Sequence, residues 1–464
     1  MAAAARPVTD DLVAGLRGIV GQRGLLLGAD VATRSCDPFR DVPPEGGVIV
    51  RPASTGEVSR VLAFCHARGQ RVVTHGGRTG VAGGAYAGLD EIILSLERFA
   101  QIEEIDAIGM SVVVQAGATL EAVQDAVAAD GLLYPIDLGA KGSATIGGTI
   151  ATNAGGNRVV RWGMTRANVL GLEAVLADGT IVSAMNRLVK NNSGYDVKQL
   201  FIGSEGTLGV VTRAVLKLVP APSSQSAALL ALPDFASVLD LLGRARRLAT
   251  LSAFEVMWSD YYRLVATSGT GRDPLPPAHP YYVLVEVMGH AEEVDRVQFD
   301  AFLGEAHDAG LIADAVVAGS GQQIAELWRV REASEVLVRT LGSFVSFDVS
   351  IEERAAESFV EAARAALTSR FETVRTVTFG HLGDNNLHVG VHVGPDTFTR
   401  ETEVERCVYA VVKEHGGALS AEHGVGRFKR EFLPEHVSPG ALDVMRRVRS
   451  ALDPSALLNH EVLF

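Results

Sequence analysis

Cysteine is scarce. The 464 residues contain three, Cys36, Cys65 and Cys407, too few and too widely spaced for a disulfide framework or a clustered thiolate metal site. A reducing compartment is the simplest setting. Long apolar runs are missing too: eighteen uncharged apolar residues never follow one another, and MAAAARPVTDD at the start has no continuous apolar stretch. Neither a membrane span nor a secretory leader is expected, and the location expected is cytoplasmic. Positive charge is in deficit, with 42 Lys and Arg against 55 Asp and Glu and a formal charge of −13. Nucleic-acid binding is therefore not the expected task, and an anionic ligand would need a local cationic pocket working against the global field. No fixed-period repeat, Walker GKS/GKT loop or GxGxxG fingerprint is found.

What is present is ordinary globular composition, 47% hydrophobic and 21% charged, in a chain long enough for two or more packed units. Residues 46–135 alternate β-branched runs (GGVIVRP, RVVTH, EIILSL, SVVVQAG) with helical periods, and Ser54/Thr55 to Glu57 reads as a helix start before Val58, Val61, Leu62 and Cys65. Glycine becomes dense from about 136 to 219, and Pro220 with PAPSSQSA marks a boundary. Beyond it, residues 222–420 mix helical and strand-like runs with few crossover glycines, which predicts an α+β unit with an antiparallel sheet.

Four stretches carry chemistry. In VVTHGGRTGVAGG (72–84) a β-branched run breaks into glycines whose backbone N–H groups can converge on an anion such as a pyrophosphate; a plain turn is the alternative. IDLGAKGSATIGGTIATNAGG (136–156) and NNSGYDVKQLFIGSEGTLG (191–209) add Gly142, Gly148 and Gly155 among Ser143, Thr145, Thr152 and Asn153, a surface suited to a long polar cofactor or a glycine-rich corner. In FGHLGDNNLHVGVHV, His381 and His388 would face opposite sides of a continuous strand, but the intervening turn can bring both imidazoles to one point. LSAEHGVGRFKR offers Glu422 as an oxygen ligand and His423 as a proton acceptor; a solvated loop is the alternative. His381, His388 and Glu422 together make a two-histidine, one-carboxylate set.

At these motifs, DLGAKGSATIGGTIATNAGG, GSEGTLG, GHLGDNNLH and SAEHGVG, the sequence resembles the FAD-linked oxidases with a PCMH-type FAD-binding domain, of the vanillyl-alcohol oxidase superfamily. Within it, the resemblance is to the D-2-hydroxyglutarate, D-lactate and glycolate dehydrogenase branch, over nearly the whole chain and in the same order. The resemblance implies an FAD domain over 1–220, a substrate cap over 221–420 and a segment 421–464 returning to the flavin. It implies that the loop Gly76, Gly77, Arg78, Thr79, Gly80 holds the pyrophosphate. Pro135, Asp137, Gly142, Ser143, Thr145, Gly148, Thr152, Asn153, Gly155, Glu205, Gly206 and Asn459 would line the cofactor. Covalent relatives carry a histidine inside the first loop; His75 precedes it, so non-covalent FAD is expected. His381, His388 and Glu422 match the metal ligands (zinc first, with Mn2+, Fe2+ or Co2+ as alternatives) and His423 the base. Arg331 and Asn386 match substrate positions. The implied reaction is oxidation of a D-2-hydroxy acid to the 2-oxo acid by hydride transfer to flavin N5. The expected partners are an electron acceptor, such as an electron-transfer flavoprotein or a quinone, with a cytochrome or oxygen as alternatives, and a second copy in a homodimer. The sequence departs from the branch at Asn385, where relatives have glycine, at Ser346 for a lysine and at Glu335 for a threonine. The last two weaken the case for a second substrate carboxylate. Two alternatives remain: an alkyl-dihydroxyacetone-phosphate synthase-like transferase and a non-catalytic flavin-binding module.

Overall fold

The computed structural model describes residues 8–39, 42–266 and 273–464. Residues 1–7 of the opening read above for a leader lie outside the described residues. The chain forms two compact units. One takes the described residues up to Gly156, then Trp162–Ala221 and His423–Phe464; the other takes Asn157–Arg161 and Pro222–Glu422.

In the first unit the strands are β1 (Leu25–Leu27), β2 (Val48–Val50), β3 (Arg71–His75), β4 (Glu91–Ser95), β5 (Ile102–Asp106), β6 (Ser111–Gln115), β7 (Leu132–Leu133), β8 (Val169–Val175), β9 (Ile181–Ala184), β10 (Val210–Lys217) and β11 (Val219–Pro220). They build a sheet β1-β2-β4-β3, an antiparallel sheet β5-β6-β10-β8-β9 and a small β11-β7 pair. In the first sheet β2 and β3 both run parallel to β4, and parallel strands need a crossover. The helix Thr55–His66 carries the chain from β2 to β3. It starts where the sequence predicts, because Ser54 Oγ accepts from the Glu57 N–H while the Glu57 carboxylate accepts from the Ala53 N–H. Its buried face is Val58, Val61, Leu62 and Cys65. β4 and β6 are buried throughout, and Ile92, Leu94, Val112 and Val114 share one core with that helix.

The second unit holds β12 (Ser224–Leu232), β13 (Leu251–Trp258), β14 (Tyr281–Gly289), β15 (Asp314–Val317), β16 (Val345–Ser350), β17 (Arg375–His381) and β18 (Asn386–His392). They form the expected antiparallel sheet, in the order β15-β12-β14-β13-β17-β18-β16. Side chains from helices Ser259–Ala266, Gly321–Arg331 and Ser334–Leu341 bury Tyr261, Trp328 and Leu341 in a core with Leu229, Met257 and Leu284 of the sheet. Asn157–Arg161 belongs to this unit because its side chains are tied into it. Arg158 pairs with fully buried Glu286 at 3.1 Å, and Arg161 donates to the carbonyls of Thr250 and Met288.

His75, the last residue of β3, is 1% exposed and donates its Nε2–H to the Ala85 carbonyl at 2.7 Å. Burial pushes its pKa down from 6.5 to about 4. Above pH 6.5 the imidazole is neutral whether the chain is folded or not; below it, the unfolded chain takes up a proton that the folded one refuses. Stability therefore falls as pH drops from 6.5 toward 4, by an amount on the order of 3 kcal/mol. His75→Gln, which keeps an N–H donor without a titrating ring, should flatten the pH dependence of the urea midpoint between pH 7 and 5 (about a two-unit window). An equally steep fall in the variant would remove His75 as its source.

Candidate active site

The glycine-rich stretches meet in the first unit. Gly76 and Gly77 leave the end of β3 so closely against residues 143–148 that a Cβ on Gly77 would lie 1.9 Å from the Ser143 carbonyl oxygen. One on Gly76 would lie 2.5 Å from Thr145 Oγ1. Only glycine permits this approach. Arg78 turns through a positive φ of 55°, Thr79 follows, and Gly80 opens onto free space. Pro135 is buried, and Asp137 bridges to Gly156 beside buried Gly155. Gly142 and Ser143 are exposed just before the short helix Ile146–Thr152. Gly148 lies within that helix, Thr152 ends it, and Asn153 caps it in the left-handed region. Thr145 Oγ1 is buried with no hydrogen-bond partner among the described residues. Such a group fits a surface that receives a polar cofactor.

The tail closes this cradle. Asn459 accepts from the Thr74 N–H and donates to the Glu205 carbonyl, tying β3 to the Glu205–Gly206 turn. The Glu205 carboxylate accepts from the Val425 and Gly426 amides at 2.9 and 2.7 Å. Burial raises its pKa in spite of those amides and Lys429.

The second unit carries a polar row on one face of its sheet. In the β17–β18 hairpin His381 pairs with Asn386 and Phe379 with His388, so His388 lies diagonally across from His381 on the same face. Their ring centroids are 5.3 Å apart. The connecting turn requires a left-handed residue, supplied by Asn385 at φ 71°. Asparagine tolerates that conformation better than other side chains, which explains a glycine or asparagine at this position. Glu422, at the end of the segment bridged to β16 at Ser350, completes the group. Ligand atoms of His381, His388 and Glu422 all lie within 4.8 Å of one another. His423 follows Glu422 directly and is half-buried.

Two carboxylates back this group, and sequence reasoning missed both. Glu255 of β13, 1% exposed, takes His381 Nδ1–H on Oε1 at 2.8 Å and Arg331 Nε–H on Oε2 at 2.7 Å. Asp348 of β16, fully buried, accepts from the Glu422 N–H at 2.9 Å, with His388 Nδ1 at 3.8 Å from its other oxygen. The available signal was a lone acid inside an apolar strand, in LSAFEVMW and SFVSFDVS. Burial works against a charged His381, but the Glu255 carboxylate outweighs it and lifts the pKa to about 9. Asp384, in the turn, is pushed up to about 7, chiefly by burial.

The expected substrate residues also lie in this unit. Arg331 is 5% exposed at the end of the helix Gly321–Arg331, its Nη2 3.3 Å from His381 Nε2 and its guanidinium 4.7 Å from the Phe379 ring centroid. Asn386 is 2% exposed, and neither atom of its amide has a hydrogen-bond partner among the described residues. Glu335 and Ser346 are exposed.

The profile of the FAD linked oxidases C-terminal domain matches residues 221–462, and that of an FAD binding domain matches 47–185. The mitochondrial D-2-hydroxyglutarate dehydrogenase of Bos taurus is 38% identical over 454 residues, covering 97% of this chain and 83% of that protein. The D-2-hydroxyglutarate dehydrogenase of Xanthomonas citri pv. viticola is 38% identical over 444 residues, covering 94% and 93%. Two solved structures share the fold, each with a TM-score of 0.75. Substrate-bound p-cresol methylhydroxylase does so at 16% identity over 98% of both chains, and an alkyldihydroxyacetonephosphate synthase at 15% over 98% of this chain and 85% of that one. With both domain profiles in order and relatives at this identity along nearly its whole length, the chain belongs to the FAD-linked oxidases, in the group that contains the D-2-hydroxyglutarate dehydrogenases.

Proposed function

We propose that this enzyme oxidises a D-2-hydroxy acid to the 2-oxo acid, with FAD in the glycine cradle and a divalent ion on His381, His388 and Glu422. The observation that carries the reading is the convergence of those three ligand groups within 4.8 Å in a chain 38% identical to D-2-hydroxyglutarate dehydrogenases. Two imidazoles and one carboxylate suit zinc first, and manganese, iron or cobalt as alternatives. Asn386, whose buried side-chain amide has no hydrogen-bond partner among the described residues, supports a polar ligand at this place. The FAD would be non-covalent: His75 is buried and its Nε2 is engaged by Ala85. The likeness to an alkyldihydroxyacetonephosphate synthase at 15% identity supports the fold and no transferase chemistry.

When bound, the ion supplies Lewis acidity that lowers the substrate hydroxyl pKa, and the flavin supplies the hydride acceptor. The chain's own residues do the rest. His423 takes the hydroxyl proton as the C–H hydride leaves. Arg331 presents a planar fork to a carboxylate, and the Asn386 amide orients the acid. An electron-transfer flavoprotein or a quinone would reoxidise the cofactor.

D-2-hydroxyglutarate is the first substrate to test, from the relatives. Glu335 and Ser346 favour broader use. Of two cations that could serve a distal carboxylate in their place, Arg161 is engaged by the Thr250 and Met288 carbonyls and Arg339 is exposed.

Anaerobic addition of a D-2-hydroxy acid should bleach the bound flavin, and a chelator should slow the bleaching. A flavin left oxidised by every such acid would refute the reaction. His381→Ala and Glu422→Ala should each lower metal content and turnover together while FAD stays bound; full metal and activity in both would eliminate the ion site. D-lactate, D-malate and apolar D-2-hydroxy acids should compete with D-2-hydroxyglutarate in kcat/KM. A preference for D-2-hydroxyglutarate above about a hundredfold, on the order of 2.7 kcal/mol, would overturn the inference from Glu335 and Ser346.

A further inference from the structure

We infer that Glu255 is a positioning residue that holds the substrate-facing Arg331 and the ligand His381 in one rigid unit, so that ion binding and carboxylate binding depend on the same buried side chain. The inference rests on the proposed ion site.

The geometry is that of a clamp. One oxygen of Glu255 accepts from His381 Nδ1–H at 2.8 Å and the other from Arg331 Nε–H at 2.7 Å. The first contact orients the His381 ring with Nδ1 on the carboxylate, so that Nε2 is the nitrogen that would face an ion once its proton is lost. The second fixes the guanidinium, whose Nη2 then lies 3.3 Å from that same Nε2. A carboxylate held by an ion at Nε2 would therefore meet the guanidinium. Phe379 restricts the other direction, with its ring centroid 4.7 Å below the guanidinium. The position of Glu255 is itself fixed by backbone pairing, since the next residue, Val256, is paired with Gly380 across β13 and β17. Among the described residues the hydrogen bonds of this carboxylate go to His381 and Arg331, and these partners account for an acid in the middle of an apolar strand.

A residue needed only for folding would change stability and leave the affinity of folded protein for its ion untouched. Glu255→Gln should instead lower Zn2+ affinity about 10- to 100-fold in FAD-loaded protein, measured by competition with a chromophoric chelator. It should also raise KM for D-2-hydroxyglutarate by a larger factor than it lowers kcat. Because the substitution strands a buried guanidinium, it is also made on Arg331→Met, where no such charge remains. There the double variant should bind Zn2+ more weakly than Arg331→Met alone by a similar factor. Unchanged Zn2+ affinity in both backgrounds, with binding still abolished by His381→Ala, would overturn the role of Glu255. Wild-type protein that binds no Zn2+, Mn2+, Fe2+ or Co2+ would overturn the ion site itself, and this inference with it.

Discussion

The register of the β17–β18 hairpin is the constraint on which the candidate ion site depends. Side chains alternate along a strand, so a slip of one residue would send His388 to the opposite face and replace it with a valine or a leucine. Two features resist the slip. The Leu382–Asp384 turn ends in a left-handed Asn385, whose carbonyl accepts from the Ile351 N–H. On its far side β18 pairs with β16 along its length, from Val345 with Val391 to Ser350 with Asn386. Once that register is set, Asp348 stands opposite His388, and the segment bridged to Ser350 carries Glu422 back to the same place.

Buried carboxylates are costly unless each lone pair finds a donor or a positive charge. The sheet of the second unit contains three, and their partners give them different work. Glu286 meets Arg158, Ser252, Gln225 and the Trp328 indole, a set that anchors Asn157–Arg161 and includes no imidazole. Glu255 and Asp348 differ in that each stands behind a histidine. Burial of an acid in this sheet is thus not in itself a sign of chemistry. The distinguishing feature is the imidazole between the carboxylate and the rest of the cluster, an arrangement that orients a metal-ligating ring and raises its basicity.

What the sequence made legible was local. The helix at Thr55–His66 was readable because its cap and its buried face repeat within twelve residues. The close packing at the glycine-rich stretches proposed to hold the cofactor was readable because close backbone approach demands glycine, and Gly77 against Ser143 is such an approach. His381 and His388 could be paired because a turn of four polar or glycine residues lies between them. Glu255 could not be assigned, because its partners lie 76 and 126 positions away and meet it only after β13 pairs with β17. The membership of Asn157–Arg161 in the second unit was hidden for the same reason. Its sequence continues a glycine-rich run, while its ion pair is made 128 residues away with Glu286.

If its substrate is an acid, as proposed, a chain with a formal charge of −13 must still attract it. Long-range repulsion is screened within about 8 Å at physiological ionic strength, so attraction has to come from groups that touch the substrate. Arg331 does not supply net charge by itself, because Glu255 offsets it at 2.7 Å. What Arg331 retains is direction: a fixed planar donor beside His381. In the proposed chemistry the ion's two charges would offset Asp348 and Glu422 as Arg331 offsets Glu255, which brings the site to neutrality, and the ion would act on the substrate by direct contact. On that reading recognition is divided between a source of charge and an oriented donor, and the division accounts for a carboxylate beside the arginine proposed to bind an acid. Without Glu255 the corner around the guanidinium would be more positive, but the donor proposed for the substrate would no longer be held at one angle.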